Sequence, residues 1–230
     1  GNAEIGNFSS LSLFSATDYA DIAGLIASQI GVPNLSWERT DQVDIGLDFG
    51  FLNNRISGEI DFFTKNTKDL LLNVPLPAVN GFTTITKNIG SMKNKGWEVV
   101  LNGNILTGDF RWTASVNLST YRNEITKLVS PVTPGSRTLG RLAVGQPFGQ
   151  FYGKKYLGVD PEDGDALYMD ATGKPTDRYS LAVDTILGNP NPDYYGGFNN
   201  RFSYKGFDLD VQCQFVKGGD LYNIAGFFQS

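Results

Sequence analysis

Histidine is absent from the 230 residues, and Cys213 is the only cysteine. Without histidine, Ser-His and Cys-His catalysis, histidine acid–base chemistry and most zinc or copper sites are excluded. A single cysteine cannot form an internal disulfide, so we interpret Cys213 as a small buried hydrophobic residue in a strand. These absences restrict the catalytic chemistry and the metal sites that the chain could support.

Basic residues and long apolar runs are also scarce. The 19 Lys and Arg residues are outnumbered by 24 Asp and Glu residues, whereas a nucleic-acid binder needs a clustered basic face. The first residues lack a charged segment followed by an apolar run, so we expect no signal peptide. No run of 18 apolar residues predicts a transmembrane helix, but a strand of a membrane barrel needs only about 9–11 alternating residues.

Aromatic residues and glycine are abundant, which favours strands and turns over helices. Residues 43–51 (VDIGLDFGF) alternate between apolar and small or acidic side chains without a break. Asn53-Asn54 then predicts a tight turn into a returning strand at 56–62. The same arrangement recurs around Gly108-Asp109 and Lys205-Gly206. We therefore predict three antiparallel hairpins whose short turns share one edge of one sheet, the periplasmic edge.

The alternation divides these hairpins into an apolar and a polar set of side chains. We expect the apolar set to face lipid: Ile45, Leu47, Ile60, Val99, Val116, Val211 and Cys213. We expect the polar set to face the lumen of a barrel: Asp48, Glu59, Glu98, Ser115 and Asp210. A β-sandwich also alternates, with its apolar face turned inward, and stays open as the alternative at this point.

The remaining segments predict connections. Residues from Lys65 to about Lys95 and from about Arg122 to Tyr195 are interpreted as long loops, which oppose the short turns as in outer-membrane barrels. The stretch Ala20–Val32 is interpreted as loop with a helical turn, because Gly24 and Gly31 interrupt it.

Several longer phrases resemble the SusC/RagA family of TonB-dependent outer-membrane transporters. They are NIGSMKNKGWEVVLN at 88–102, VGQPFGQFYG at 144–153, LGNPNPDYYGGFNNRFSYKGFDLDVQ at 187–212 and GGDLYN at 218–223, preceded by similar text over 31–77. The resemblance implies an all-β chain, an antiparallel segment of a 22-stranded transmembrane barrel. It also implies an internal fragment from the C-terminal half of that barrel, in the bacterial outer membrane.

The resemblance further implies partners and a substrate class. A SusC-like protein imports a glycan or a peptide beneath a SusD-like surface lipoprotein, and TonB drives it through a plug region that has no counterpart in this chain. Outer-membrane lipid is the expected surrounding of the strands, and no nucleic acid is expected. Because import of this kind works by binding and by displacement of the plug, the resemblance implies that the chain is not an enzyme, with no catalytic residue and no cofactor. The alternatives are a TonB-dependent siderophore or vitamin receptor and a soluble β-sandwich adhesion or carbohydrate-binding module, with an enzyme a distant third.

The resulting organisation has four parts. Residues 1–42 are a lead-in to the barrel, and 43–128 form barrel hairpins with one extracellular loop. Residues 129–195 form a long extracellular loop with an internal hairpin, and 196–230 form a further, truncated barrel hairpin.

The long loop holds a concentration of tyrosines, namely Tyr152, Tyr156, Tyr168, Tyr179, Tyr194 and Tyr195. Tyrosine rings can stack on sugars or hold peptide side chains, and their hydroxyls form hydrogen bonds. We predict that Tyr156, Tyr168 and Tyr179 contact the substrate, with packing within the loop as the alternative. For Tyr194 and Tyr195, which lead into a strand, a membrane-interface girdle is favoured.

Acidic residues in the same loop raise the question of calcium. Asp160, Glu162, Asp163 and Asp165 lie in the turn DPEDGD, which we interpret as a solvated acidic turn. A calcium loop and a glycosidase-like carboxylate pair are the alternatives. Asp170 matches the first residue of a calcium-like segment found in family members, but Lys174 places a cation beside it. We therefore predict no metal site, with calcium as the alternative.

Overall fold

The computed structural model describes residues 5–19, 22–77, 79, 81–129 and 140–223. These residues form fourteen antiparallel strands, and no helix among them is long and apolar enough to span a membrane. The first seven strands are β1 (Leu13–Tyr19), β2 (Ile22–Gln29), β3 (Arg39–Phe51), β4 (Ile56–Pro75), β5 (Thr84–Thr107), β6 (Phe110–Leu128) and β7 (Gly140–Arg141). The others are β8 (Gln150–Lys154), β9 (Tyr156–Val159), β10 (Ala166–Met169), β11 (Pro175–Thr176), β12 (Asp184–Gly188), β13 (Pro192–Tyr204) and β14 (Phe207–Gly218).

Six strands form one large sheet in the order β14-β13-β6-β5-β4-β3. The predicted turns join β3 to β4, β5 to β6 and β13 to β14, and Tyr204 pairs with Phe110 at the same end of the sheet. Asn53 and Asn54 have φ angles of 57° and 60°, the left-handed backbone that asparagine tolerates in a tight turn. The prediction that the three turns share one edge is confirmed.

The two faces of this sheet separate as predicted, because directly paired residues point to the same side. Leu47 pairs with Ile60, Ile60 with Val99, and Val99 with Leu118, which makes one apolar row. The polar set follows the opposite face, where Asp48 pairs with Glu59. The apolar face is open to its surroundings: the exposed fraction is 66% for Ile45, 61% for Leu47 and 59% for Leu209. Even Cys213, predicted to be buried, is only half-buried on this face.

The strands are longer than the alternation predicted. β4 continues to Pro75 and β5 begins at Thr84, so most of the predicted loop between Lys65 and Lys95 is strand. β6 likewise runs to Leu128, and β13 begins at Pro192. The prediction failed because alternation reports two different environments on the two faces of a strand. Beyond the apolar band the residues of β4 no longer alternate, because Lys68 and Asp69 are followed by three leucines at 70–72. The pairing with β5 nevertheless continues to Pro75.

The loop with a helical turn predicted over Ala20–Val32 is wrong. Residues 22–29 form β2, which pairs with β1 through partners such as Thr17 and Gly24. Leu25 and Ile26 are 76% and 56% exposed, so this hairpin is held by its backbone ladder and little by side-chain packing. Ala20 and Asp21 lie outside the described residues.

The buried apolar core lies at the loop edge of the large sheet. Ile125 is 1% exposed, and it packs with Ile89 and Leu142, which come from β5 and from the segment after β7. The amide of Ile125 donates to the carbonyl of Gln146 (2.9 Å), and the amide of Gly145 donates to the carbonyl of Ile125 (2.8 Å). Residues 145 and 146 of the long loop therefore pair with β6 at Ile125, beyond Ser119, where the pairing of β6 with β13 ends.

Phenylalanine rings cover glycines on neighbouring strands at three positions. Phe49 pairs with Gly58, Phe63 with Gly96, and Phe215 with Gly196. A Cβ added at Gly96 would lie 2.8 Å from the ring of Phe63 and 2.1 Å from the carbonyl oxygen of Thr120. Aromatic coverage of a strand glycine is a known way to pin the register of a sheet.

We expect Gly96→Ala to destabilise the sheet by about 1–3 kcal/mol, because the added methyl has no room between Phe63 and β6. The measurement is the thermal unfolding midpoint of the full-length protein carrying this chain, followed by the shift in electrophoretic mobility of the folded barrel. Gly108→Ala is the matched control, since a Cβ there meets no atom within 4 Å. Equal midpoints for the two variants would contradict this account of the Phe–Gly pairs.

Candidate ligand-binding surface in the long loop

Residues 140–188 form two small sheets that present the loop tyrosines. One has the strand order β12-β8-β7, and the other has the order β11-β10-β9. The two are joined through the β8–β9 connection and a bridge between Asp170 and Ala182. The loop is thus an ordered framework in which strand pairing sets the direction of each side chain.

The three tyrosines predicted to bind substrate form one cluster. Tyr156 pairs directly with Tyr168 across β9 and β10, and their ring centroids are 5.9 Å apart at 63°. Tyr168 also meets Tyr179 edge to face, with the ring centroids 5.1 Å apart at 83°. Tyr156 and Tyr179 remain 54% and 59% exposed. Tyr168 therefore supports two rings that keep open surface, the arrangement that stacking on a flat ligand requires.

Lys154 adds a cation to this cluster, which the sequence reasoning missed. Its Nζ lies 4.9 Å from the centroid of the Tyr179 ring and donates to the carbonyl of Ala182 (2.5 Å). A cation held over an aromatic face gains from the ring quadrupole. The sequence places Lys154 between Tyr152 and Tyr156, which could have indicated a cation near the tyrosines. Its contact with Tyr179 depends on the fold, because β8 pairs with β12 and the segment before β12 carries Tyr179.

The other three tyrosines lie elsewhere. The guanidinium carbon of Arg141 lies 4.1 Å from the centroid of the Tyr152 ring. Tyr194 contacts Phe215 at the loop-side end of the apolar face, with 6.2 Å between the ring centroids. Tyr195 pairs with Ser119 on the polar face. A membrane-interface girdle requires the apolar face, so the girdle interpretation stays a prediction for Tyr194, whereas the position of Tyr195 on the polar face argues against it there.

The acidic residues in DPEDGD cap their own turn. Asp160 Oδ1 accepts from the amide of Glu162 (2.9 Å), and Asp163 Oδ1 accepts from the amide of Asp165 (3.0 Å). Among the described residues, no three acidic, histidine or cysteine side chains converge to hold a metal ion. These contacts favour the interpretation as a solvated turn.

Asp170 is likewise engaged by its own turn. Its Oδ1 accepts from the amide of Lys174 (2.9 Å) and from both the amide and the hydroxyl of Thr172 (2.8 Å each). The backbone hydrogen bond from Lys174, followed by the hydroxyl of Thr172, holds the pKa of the Asp170 carboxyl below its ordinary value. This carboxylate organises the turn after β10.

Two of the motifs that carry the resemblance meet at the base of the loop. The amide of Asn189, in GNPNP, donates to Asp220 Oδ2 (2.8 Å), and the amide of Asp220, in GGDLYN, donates to the carbonyl of Asn189 (2.8 Å). We call these two hydrogen bonds the Asn189–Asp220 latch. Gly188 leaves room for the latch, because a Cβ there would lie 2.4 Å from Asp220 Oδ2. The Tyr121 hydroxyl also donates to Asn191 Oδ1 (2.8 Å). The end of the loop is therefore held to both β6 and the exit of β14.

A family profile described as "TonB dependent receptor-like, beta-barrel" matches residues 12–212. The chain belongs to this family. The match covers most of the chain, including the large sheet and the loop with the tyrosine cluster. The resemblance inferred from the motifs is confirmed, as is the all-β antiparallel barrel fold, although the strands described here do not close into a barrel.

Individual relatives agree with this assignment. The TonB-dependent receptor P3 of Formosa agariphila is 33% identical over 253 residues, which cover 97% of this chain and 25% of that protein. The TonB-dependent receptor SusC of Bacteroides thetaiotaomicron is 36% identical over 203 residues, covering 79% of this chain and 19% of that protein. A structure of the RagAB peptide transporter superposes with a TM-score of 0.81 at 36% identity, covering 95% of this chain and 25% of that chain.

These comparisons have two consequences. The chain spans about a quarter or less of the length of the relatives it matches. A β-sandwich is excluded as the fold, because the family and the superposition both assign a TonB-dependent receptor barrel. The four-part organisation and the ligand contacts of Tyr156, Tyr168 and Tyr179 stay predictions, and residues 130–139 of the predicted loop lie outside the described residues.

We expect Asp220→Ala to loosen the end of the long loop, because the amide of Asn189 loses its charged acceptor. A hydrogen bond to a charged group contributes about 1.5–3 kcal/mol, so amide exchange at Asn189 should accelerate by at least tenfold. Hydrogen exchange on the full-length protein measures this. Asp163→Ala is the control, since Asp163 caps only its own turn. Unchanged exchange at Asn189 in Asp220→Ala would refute the latch.

Proposed function

We propose that this chain is a section of the wall and mouth of a SusC-type TonB-dependent nutrient importer in the bacterial outer membrane. The observation that carries the proposal is the large sheet, one face of which is apolar and exposed over six consecutive strands. An exposed apolar surface of this size requires a partner, and in a membrane barrel that partner is lipid. The polar face then lines the lumen.

The height of the apolar band supports this placement. Val43 to Phe51 spans eight residue steps, or about 27 Å at 3.4 Å per residue. At a strand tilt of about 40°, this corresponds to roughly 21 Å across the membrane, close to the ~25 Å apolar band of outer-membrane barrels. The opposite face carries carboxylates directly across from one another, Asp48 with Glu59 and Asp61 with Glu98, which require water.

Aromatic side chains mark both ends of the band. At the loop edge Phe62 contacts Trp97, with 4.9 Å between the ring centroids. At the turn edge Trp112 stacks on Phe202 with 5.7 Å between the centroids. Girdles of this kind lie at the two interfaces of membrane barrels. The short turns would accordingly lie on the periplasmic side, and the long loop on the extracellular side.

The partners and the substrate follow from the relatives. SusC and the RagAB peptide transporter support a SusD-like surface lipoprotein above the barrel and a glycan or peptide as the imported substrate. TonB would act through a plug region contributed by the full-length protein. We propose no catalysis for this chain, since import depends on binding and displacement of the plug. A siderophore or vitamin receptor remains the second candidate, because the family as a whole does not distinguish between substrates.

The tyrosine cluster is the part of this chain that we propose to contact the substrate. Two exposed rings and the ammonium group of Lys154 form a surface that can stack on a sugar or hold an aromatic or acidic side chain. Tyr168 would act as a support, because it lies between the other two rings.

The facing of the sheet is tested by a pair of neighbouring substitutions. Val116 pairs with Leu101 and Phe198 on the apolar face, whereas Ser115 pairs with Asn102 and Asn199 on the polar face. Near the bilayer midplane, Val116→Arg should cost about 2–4 kcal/mol, and Ser115→Arg should be tolerated. The measurement is the free energy of folding of the full-length protein into lipid vesicles. Equal costs at the two positions would argue against the membrane placement.

The role of the tyrosines is tested by calorimetry on the full-length protein with its lipoprotein partner, titrated with a panel of oligosaccharides and peptides. Tyr156→Ala, Tyr168→Ala and Tyr179→Ala should each weaken binding by about 1–3 kcal/mol, the usual loss for an aromatic anchor. Tyr168→Phe keeps the supporting ring and should retain most of the affinity. If all three alanine variants bind as the parent does, the cluster serves only to pack the loop.

A further inference from the structure

A group of cations lies on the apolar face just beyond the loop-side end of the band. The pairing of β5 with β6 runs without a bulge from Val99–Leu118 through Trp97–Thr120 to Lys95–Arg122 and Lys93–Glu124. Since paired residues share a face and alternate positions repeat it, Lys93, Lys95 and Arg122 point to the same side as Val99. They do not face the lumen.

The level of these cations corresponds to lipid headgroups. Trp97, 52% exposed, is the last aromatic residue of the band on β5. Lys95 is the next residue on the same face toward the loop edge, about 7 Å from Trp97 along the strand, and Lys93 lies about 14 Å from Trp97. The polar region of a bilayer extends roughly 5–8 Å beyond its hydrocarbon core on each side. After allowance for strand tilt, Lys95 and Arg122 lie at headgroup depth on the extracellular side.

These cations line a cleft of about 500 Å³. The cleft opens where β13 separates from β6 beyond Ser119. Its other wall is formed by Gly145, Pro147, residue 189 and residues 191–193 of the long loop, and Tyr121 and Asn123 of β6 also line it. None of the three cations forms an ion pair with a described residue. The ion pairs among the described residues lie outside the cleft and are Arg39–Asp69, Lys68–Asp41 and Arg201–Asp208. A preformed cleft of this size accommodates a phosphorylated sugar.

The remaining lining distinguishes between ligands. Glu124 and Asp193 also line the cleft, so its formal charge is only +1. Two carboxylates disfavour a bare phosphate ion, but they accept hydrogen bonds from sugar hydroxyls, while the three cations hold a phosphate ester. At the turn edge, in contrast, the guanidinium of Arg55 is committed to the carbonyls of Asn104 and Ile105, at 2.9 Å from the latter.

We propose that this cleft binds the phosphorylated sugar headgroup of an outer-leaflet glycolipid, whose acyl chains lie along the apolar face below Trp97. The site rests on the proposed function, because it requires that the apolar face contact lipid. Its occupant is a structural lipid of the membrane and not the imported substrate, since it binds on the outer surface of the wall.

The test uses the purified full-length protein after removal of co-purified lipid, with bis-phosphorylated lipid A as the probe and native mass spectrometry as the readout. The triple variant Lys93→Gln/Lys95→Gln/Arg122→Gln should bind the probe at least tenfold more weakly, because anionic headgroups are held largely by such charges. The matched control is Lys65→Gln/Arg111→Gln/Arg201→Gln, which removes three cations from the polar face. It should bind lipid A as the parent does.

Further arms separate the sources of the phosphate. Dephosphorylated lipid A should bind the parent as weakly as bis-phosphorylated lipid A binds the triple variant. Competition by inorganic phosphate at equal concentration would show a free-anion site, and equal losses in the two triple variants would show a general charge effect. Either result overturns the proposal. The single variant Arg122→Gln, checked for folding by electrophoretic mobility, should also bind more weakly and keeps the test valid if the triple variant does not fold.

The membrane placement is judged separately by the Val116 and Ser115 substitutions. If those two arginine variants differ as expected and the lipid A affinity is unchanged in the Lys93, Lys95 and Arg122 variants, only the glycolipid site fails. If the two arginine variants cost the same, the membrane placement itself fails.

Discussion

The structure depends on a cross-strand register that is kept through six strands along the apolar band. A slip by a single residue would move every apolar side chain of a strand to the opposite face. The register between Phe51–Ile56 and the Trp97–Thr120 row contains no shift apart from one between Asn104 and Leu106, near the turns. The shifts in β4 and β5 occur beyond the band, next to Leu70 and at Ser91. Regular pairing is thus kept where the two faces meet different environments.

Beyond the band the sheet serves another purpose, because its strands become the support of the loop. Ile125, at the far end of β6, is the most deeply buried apolar residue described, and its backbone pairs with residues 145 and 146. Tyr121 and Asp220 hold the returning chain at Asn191 and Asn189. The loop is consequently fastened at both ends to barrel strands, and strand pairing within it positions the tyrosines.

Much of this organisation could be predicted from the sequence. Strict alternation and asparagine or glycine turns are local signals, and they predicted the hairpins, the shared turn edge and the two faces. They could not predict the far half of β4 and β5, where the pairing passes register shifts at Leu70 and the consecutive leucines at 70–72 do not alternate. They also could not predict the β1–β2 hairpin, in which Gly24 pairs across the ladder. The contact of Lys154 with Tyr179 depends on the loop framework, which no local pattern encodes.

The distribution of burial leaves both an apolar face and two strand edges of the large sheet without a partner among the described residues. The buried apolar residues lie in the loop-edge half of the structure, for example Leu70, Leu71 and Leu142, whereas Leu47 and Leu209 in the band are about 60% exposed. β3 and β14 each have one edge without a partner among the described strands. Unpaired edges and an exposed apolar face both favour association. In a membrane barrel, adjacent strands pair with the open edges and lipid covers the apolar face. The features that would make the isolated sheet aggregate are therefore those that support the proposed placement in the outer membrane.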